Sequence, residues 1–157
     1  MEVRRWGEDR IAELEPLWRD LHGHHAELEE VPPVRPFGDS WAHRQEQYHG
    51  WLRSGEGVLF VAEDDDGKPV GYLMLTVGGA PATWEVGGTA AEVETLAVLE
   101  GARSDGVGTA LMDAAVEEAK SAGAGAVGVG VVHSNAAAIR FYERAGFKTF
   151  YLQMLRI

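Results

Sequence analysis

A short glycine-containing loop between a predicted strand and an alanine-rich helix constrains the fold of this chain more than any other segment. The loop reads Arg103-Ser104-Asp105-Gly106-Val107-Gly108. The apolar, β-branched run at 93–98 predicts a strand before it. Residues 109–122, which lack Gly and Pro, predict a helix after it. The first-turn N–H groups of such a helix have no intrahelical partner, and glycine lets an anion approach them, so the segment predicts a phosphate-bearing ligand.

Two other nucleotide-binding motifs do not fit the chain. A Walker loop needs four residues between its glycines and then Lys-Ser/Thr, which the chain lacks. Residues 123–128 match the dinucleotide pattern GxGxxG, but they follow a predicted helix and lead into a predicted strand at 127–132. The dinucleotide-binding turn has the reverse order, so these glycines predict the end of a helix.

Composition and charge narrow the class of protein. The 157 residues, 45% of them apolar, suffice for one domain with its own core. The net charge is −11, with −8 in residues 1–80 and −3 in residues 81–157. An acidic surface repels a phosphate backbone, so nucleic acid is excluded as a partner, whereas a cationic acceptor is attracted. An acidic surface that serves only solubility is the alternative.

The sequence also gives no support for a membrane protein, a secreted protein or a metal-binding protein. No run of 18 apolar residues exists, and residues 1–6 lack the apolar stretch of a secretory signal, so we expect a cytoplasmic protein without a membrane span. The absence of cysteine excludes a thiolate zinc site and a cysteine nucleophile. His22, His24 and His25 have no evident further ligand, and we predict no metal site. We expect them to border an acceptor pocket with Trp41, Tyr48 and Trp84.

Periodicity predicts a mixed α/β order along the chain. Residues 31–36, rich in proline, predict a loop, and Asp39 or Ser40 is the expected N-cap of the second helix. Residues 64–68 contain an Asp-Gly step, which favours a hairpin. The predicted strands are 2–6, 58–63, 70–77, 92–98, 127–132 and 149–156, with a further short one at 83–86, and the predicted helices are 10–21, 39–52, 106–122 and 135–145.

Three segments in a fixed order resemble a known family. Leu96-Ala97-Val98 precedes Arg103-x-x-Gly106-x-Gly108, and Asn135-Ala136-Ala137-Ala138-Ile139-Arg140-Phe141-Tyr142-Glu143-Arg144-Ala145-Gly146-Phe147 follows about 30 residues on. Together they resemble the GNAT N-acetyltransferase superfamily over residues 70–157. The resemblance implies an α/β (α+β) fold, with a mixed, mostly antiparallel sheet of six to seven strands and helices on both faces. It implies one domain, 1–157, with the acceptor side mainly in 1–80 and the acetyl-CoA side mainly in 81–157.

The resemblance also implies acetyl-CoA as the acetyl donor. In the family the strand that ends at Val98 splays from its neighbour, so that its backbone near Ala97 and Val98 can pair with the donor's arm. The loop then binds pyrophosphate. Asp105 departs from the family pattern, because a carboxylate there must point away or weaken binding. The implied donor-binding residues are Leu96, Ala97, Val98, Arg103, Ser104, Asp105, Gly106, Val107, Gly108, Thr109, Asn135 and Tyr142.

Glu94 is the predicted base for the acceptor amine. An alkyl amine with a pKa near 10.4 is only about 0.04% neutral at pH 7, so a group must remove its proton. Glu94 lies on the donor strand, where some family members also have Glu. An ordinary glutamate is a weak base, so burial or a water relay would be needed. Glu92, two residues away, is predicted to lie on the same face of the strand and competes for the role. The alternative is that both carboxylates simply face solvent.

Tyr142 is the predicted acid. CoA leaves as a thiolate with a pKa near that of cysteine, about 8.5, and a tyrosine hydroxyl near 10 can protonate it. The resemblance places the hydroxyl of Tyr142 at the sulfur, whereas a tyrosine that only packs in the core is the alternative. Asn135 is expected to cap the last helix, and the resemblance adds a contact with the donor's arm.

These observations predict an N-acetyltransferase that moves an acetyl group from acetyl-CoA to a primary amine of a small molecule or peptide. Without a cysteine to carry the acetyl group, direct attack in a ternary complex is favoured. The alternatives are an acyl-CoA-binding sensor or docking module without transfer activity, for which Asp105 argues, and a transferase for a longer acyl chain that uses residues 78–89 as a channel. Family members often pair, so a homodimer is a further expectation.

Overall fold

The computed structural model describes residues 1–28 and 32–157, and the start of the predicted loop at Val31 lies outside the described residues. The described residues form five strands, four α-helices and two 3₁₀ helices. The strands are β1 (Glu2–Trp6), β2 (Gly57–Glu63), β3 (Pro69–Gly79), β4 (Thr89–Val98) and β5 (Ala124–Val129). The helices are α1 (Glu15–Glu27), α2 (Phe37–Ser54), α3 (Val107–Ser121) and α4 (Ala136–Arg144), with 3₁₀ helices at Glu8–Leu14 and Glu100–Ala102.

The strands form one sheet in the order β1-β2-β3-β4-β5. The first four strands pair antiparallel, and β4 pairs parallel with β5, to which α3 connects it. The predicted hairpin joins β2 and β3, with Gly67 at φ +76° in its turn. The mixed, mostly antiparallel sheet is therefore confirmed.

Helices cover both faces of the sheet, as predicted. Residues of α1, α2 and the first 3₁₀ helix pack on one face, against Leu59, Val61, Tyr72, Met74 and Ala97. Residues of α3 pack on the other, against Phe60, Ala62, Leu73, Leu75 and Val93, with Phe141 and Tyr142 of α4 beside them. In the part of the chain that the structure describes, no helix has both the length and the apolarity needed to cross a membrane.

The predicted strand count was too high. Residues 149–156 form no strand, and their apolar side chains, such as Leu152 and Met154, are exposed. Residues 83–86 also form no strand. Glycine pairs flank residues 83–86, and the backbone of Val86 lies against Gly125 of β5, where no side chain is available for cross-strand packing.

The observed helix boundaries differ from the predicted ones, and at two of them a proline is the cause. The predicted helix at 10–21 is a 3₁₀ helix followed by α1, because Pro16 has no N–H and is tolerated only in the first turn of an α-helix. The second helix begins at Phe37 after Pro36, so Asp39 and Ser40 lie within its first turns and neither is its N-cap. The strand predicted at 127–132 runs from Ala124 to Val129, since Gly123, at φ +78°, ends the helix before it.

A chain of buried hydroxyl groups joins α2 to the sheet. Tyr48 donates to Thr95 Oγ1 at 2.6 Å, and its oxygen lies 3.0 Å from the hydroxyl of Tyr72. Burial raises the pKa of Tyr48 to about 12, so the hydroxyl stays protonated. Because a hydroxyl has one hydrogen to donate, Tyr72 must donate to Tyr48. This chain holds the middle of β4 against α2.

Replacing Tyr48 by Phe is expected to lower the free energy of unfolding by about 1–3 kcal/mol, since two buried hydroxyls lose a partner. Urea denaturation measures the change. Tyr151→Phe is the matched control, because Tyr151 is 70% exposed and should change stability by less than about 0.5 kcal/mol. Equal stability of both variants would contradict a structural role for the hydroxyl chain.

Candidate active site

The sheet opens between β4 and β5. Their parallel register ends where Val93 meets Val129, although β4 continues to Val98. Over the same stretch β4 remains paired with β3 on its other edge, with Leu96 opposite Leu73 and Val98 opposite Gly71. Leu96, Ala97 and Val98 therefore have no register partner on β5, and we call the open edge that they form the cleft.

A β-bulge lies where this cleft begins. Met74 of β3 is opposite Thr95, and the next residue, Leu75, is opposite Val93, so Glu94 has no partner on β3. The hydroxyl of Thr76 donates to Glu94 Oε1 at 2.7 Å. Alternation along β3 puts Thr76 on the same face as Met74, which packs with α1 and α2. Glu94 is thus directed to the α1–α2 side of the cleft.

Glu92 lies on the same face, as strand parity predicted. Partial desolvation of its carboxylate beside β5 raises its pKa, and the neighbouring Glu94 carboxylate raises it further. Its carboxylate lies against Gly128 of β5, across the seam between the two strands. Glu92 is exposed and Glu94 is half-buried. The structure brings both candidate bases to one side of the cleft.

The predicted anion loop leads directly into α3. Ser104 and Gly106 have φ values of +75° and +79°, and the first intrahelical bond runs from the N–H of Ala110 to the carbonyl of Gly106 at 2.9 Å. No side chain caps this helix, and its first turn has no acidic residue. The N–H groups of Gly106, Val107, Gly108 and Thr109 therefore remain available to an anion.

Gly108 is the point where the loop, β4 and α4 meet. A Cβ atom added there would lie 3.3 Å from Phe141 Cε2 and 3.8 Å from Val98 Cγ2. The three segments that carry the family resemblance are thus adjacent in space. A larger residue at position 108 would require the ring of Phe141 to move.

Arg103 contacts residues outside its own loop. Its Nε donates to the carbonyl of Val98 at 3.2 Å, and its guanidinium forms an ion pair with Asp20 of α1 at 2.7 Å. Asp20 was not singled out in the sequence, where only its place on a charged helix face is visible. Asp105 is exposed and lines a groove of about 230 Å³ with Met1, Asp64 and Asp65, on the hairpin side of the loop.

Tyr142 and Asn135 lie at the two ends of α4. Asn135 caps the helix as predicted, with Oδ1 accepting from the N–H of Ala138 at 3.1 Å. The ring of Tyr142 packs edge-on against Phe141 and Phe147, and burial raises its pKa to about 12. Among the described residues, no group forms a hydrogen bond with its hydroxyl.

The expected lining of the acceptor pocket is only partly exposed. Trp41 and Tyr48 are buried in the core, which corrects their assignment to a pocket, because α2 turns both rings toward the sheet. Trp84 is 52% exposed and packs edge-on against Phe150. His22 is hydrogen-bonded to the carbonyl of Arg35 at 2.7 Å. Residues such as Thr76 and Thr95 were missed, since a β-bulge leaves no mark in the hydrophobic pattern.

Comparisons with known proteins agree with this geometry. The model of the acetyltransferase (GNAT) family matches residues 16–147. An uncharacterized N-acetyltransferase of Methanocaldococcus jannaschii is 33% identical over 101 residues, which are 64% of this chain and 44% of that protein. The chain thus spans about half the length of this curated relative.

Solved structures share the fold over the whole chain. The BH1408 protein of Bacillus halodurans, solved as a tetramutant, has a TM-score of 0.80 at 18% identity, covering 100% of this chain and 99% of that one. An aminoglycoside N-acetyltransferase in complex with CoA has a TM-score of 0.73 at 14% identity, covering 99% and 98%. Since the family model matches most of its length, the chain belongs to the acetyltransferase (GNAT) family.

Proposed function

We propose that this protein is an N-acetyltransferase that moves the acetyl group of acetyl-CoA to a primary amine of a small molecule or peptide, by direct attack in a ternary complex. Family membership supports acyl transfer in general. One observation carries the proposal further: the uncapped N-terminus of α3 lies beside the half of β4 that has no partner on β5. An anion site next to free strand edges fits a donor with a pyrophosphate and an extended amide-containing arm.

The donor would lie mainly against residues 81–157. The N–H groups of 106–109 would hold the pyrophosphate, with Arg103, Ser104 and Asp105 around it. The backbone of Leu96, Ala97 and Val98 would pair with the arm, and an N–H there would stabilise the charge that develops on the thioester oxygen. Asn135, which caps α4, would contact the arm, as the family resemblance implies. The similar aminoglycoside N-acetyltransferase binds CoA, which supports this choice of donor.

The acceptor would approach from the α1–α2 side, which residues 1–80 mainly form. This half carries a net charge of −8, and Glu92 and Glu94 face that side of the cleft, so a protonated amine is attracted there. Glu94 takes the first proton. After the C–N bond has formed, the nitrogen loses a second proton to water, and the C–S bond breaks to release CoA as the thiolate. Because Glu94 is less exposed than Glu92 and closer along β4 to residues 96–98, we assign the base to Glu94.

Tyr142 would act on the leaving sulfur. With a pKa of about 12, its hydroxyl stays protonated at neutral pH. Full transfer to a thiolate of pKa about 8.5 is uphill by about 3.5 pKa units, or about 5 kcal/mol. Tyr142 therefore stabilises the developing thiolate mainly as a hydrogen-bond donor, and solvent restores any proton that it gives up.

Donor binding is expected to stabilise the fold. Acetyl-CoA and CoA at 100 times the Kd should each raise stability by about 2.7 kcal/mol in a thermal-shift titration, whereas NAD should not. Thr109→Glu should raise the Tm of the free protein, because a carboxylate favours a helix N-terminus, yet it should weaken the shift with acetyl-CoA. Thr109→Gln, whose side chain has the shape of glutamate without its charge, should lose less of the thermal shift with acetyl-CoA. The absence of any shift with the wild-type protein would overturn acetyl-CoA as the donor.

Replacing Tyr142 by Phe is expected to lower kcat by about 10–100-fold, with little change in the thermal shift by acetyl-CoA, since only the hydroxyl is removed. CoA release with a panel of primary amines, including an aminoglycoside, spermidine and a short peptide, measures the rate. Comparing acetyl-CoA with octanoyl-CoA tests the longer-chain alternative. Undiminished turnover would remove Tyr142 from the mechanism.

The two candidate bases can be separated by isosteric substitution. Glu94→Gln is expected to reduce kcat at pH 7 about 100-fold or more, whereas Glu92→Gln should reduce it less than tenfold, because it mainly removes attraction for the acceptor. Both keep the side-chain volume. A slower Glu92→Gln variant would reverse the assignment, and full activity of both variants would leave deprotonation to water alone.

A further inference from the structure

Thr76 of β3 faces two carboxylates of β4. In the antiparallel register Thr76 is opposite Glu92, but its hydroxyl donates to Glu94 at 2.7 Å. Diagonal neighbours on paired strands lie within reach of each other, and the bulge moves Glu94 out of the regular ladder. A hydroxyl has one hydrogen to donate, so it can tie only one of the two carboxylates. In this structure that carboxylate is Glu94.

The contact leaves one oxygen of Glu94 unoccupied. Oε1 accepts from Thr76, and within the described residues Oε2 has neither a hydrogen-bond nor a salt-bridge partner. The carboxylate of Glu92 likewise has no such partner there. Without the hydrogen bond from Thr76, a proton leaving the amine could go to either of these two carboxylates, at different places in the cleft.

Thr76, which donates this hydrogen bond, is itself held rigidly. Thr76 is half-buried in the middle of the sheet, and a β-branched side chain on a strand has a restricted χ1 angle. Its neighbours along β3, Met74 and Leu75, are fully buried, which anchors the backbone. On β4, the Tyr48–Thr95 hydrogen bond holds the residue next to Glu94. The hydroxyl of Thr76 therefore has a fixed position and restrains the Glu94 carboxylate through their hydrogen bond.

We propose that Thr76 is a positioning residue that selects Glu94 over Glu92 as the proton acceptor, by holding Oε1 so that Oε2 faces the amine. The inference rests on the proposed transfer activity. Thr76 does not touch the reacting atoms and acts only through Glu94. Losing the hydroxyl would free the carboxylate to rotate and to move away from Glu92.

The test compares Thr76→Val, which keeps the shape but removes the hydroxyl, with Thr76→Ser, which keeps the hydroxyl. The probes are two small amines of similar size, ethylamine, which is protonated at pH 7, and methoxyamine, which is neutral and needs no base before attack. With ethylamine, Thr76→Val is expected to lower kcat about tenfold or more without changing the KM for acetyl-CoA. With methoxyamine its rate should stay within twofold of wild type. Thr76→Ser should restore most of the ethylamine rate.

A double-mutant cycle shows whether Thr76 acts through Glu94. In the Glu94→Gln background, Thr76→Val should have no further effect on the ethylamine rate. Equal losses with both amines, or additive losses in the double variant, would indicate general damage and overturn the proposal. If Glu94→Gln is slow but Thr76→Val is as fast as wild type, only the positioning role fails. If wild-type protein transfers neither to these two amines nor to any amine of the panel described above, the transfer activity on which the proposal rests fails as well.

A crystal structure of Thr76→Val with acetyl-CoA provides a readout that needs no acceptor. The carboxylate of Glu94 is expected to leave the position that it has beside residue 76, and in Thr76→Ser it should keep that position. An unmoved carboxylate in the valine variant would overturn the positioning role, whatever the rates.

Discussion

The early end of the β4–β5 pairing is the constraint on which the rest of the site depends. A sheet normally satisfies the backbone groups of an inner strand on both edges, but among the described residues β4 is paired only with β3 beyond Val93. The unpaired edge can be tolerated because Gly108 lets α3 and Phe141 approach Val98 and close the α3 face of the cleft. An extended ligand can then supply the missing partners, and the anion loop lies where its charged end would be.

The two faces of the sheet carry opposite charges near the cleft. On one face the N-terminus of α3 provides N–H groups and partial positive charge for an anion. On the other, Glu92 and Glu94 provide negative charge for a cation. The bulge at Glu94 lies between the two, where a transferred group would have to pass. In the proposed reaction, opposite charges on opposite sides of one cleft would keep donor and acceptor from competing for the same surface.

Much of this organisation could be predicted from the sequence, because it depends on local signals. The glycine loop, the alanine-rich helix and Asn135 as a cap all follow from residue chemistry at short range, and the structure places each where it was expected. The bulge could not be predicted, since it changes no residue type and shows only when β3 and β4 are paired. The strand prediction at 149–156 was wrong for a related reason: its apolar residues favour a strand, but a strand also needs a pairing partner, which the local sequence does not reveal.

The ion pair between Arg103 and Asp20 has a consequence for cooperativity. Arg103 bridges the end of β4 and α1, so it joins the proposed donor side of the molecule to a helix of the proposed acceptor side. A ligand whose negative charge draws the guanidinium toward the loop would compete with Asp20 for Arg103 and weaken this contact with α1. By thermodynamic linkage, a ligand that orders α1 through Asp20 then alters the donor's affinity by the same factor, so the two substrates of such a site need not bind independently.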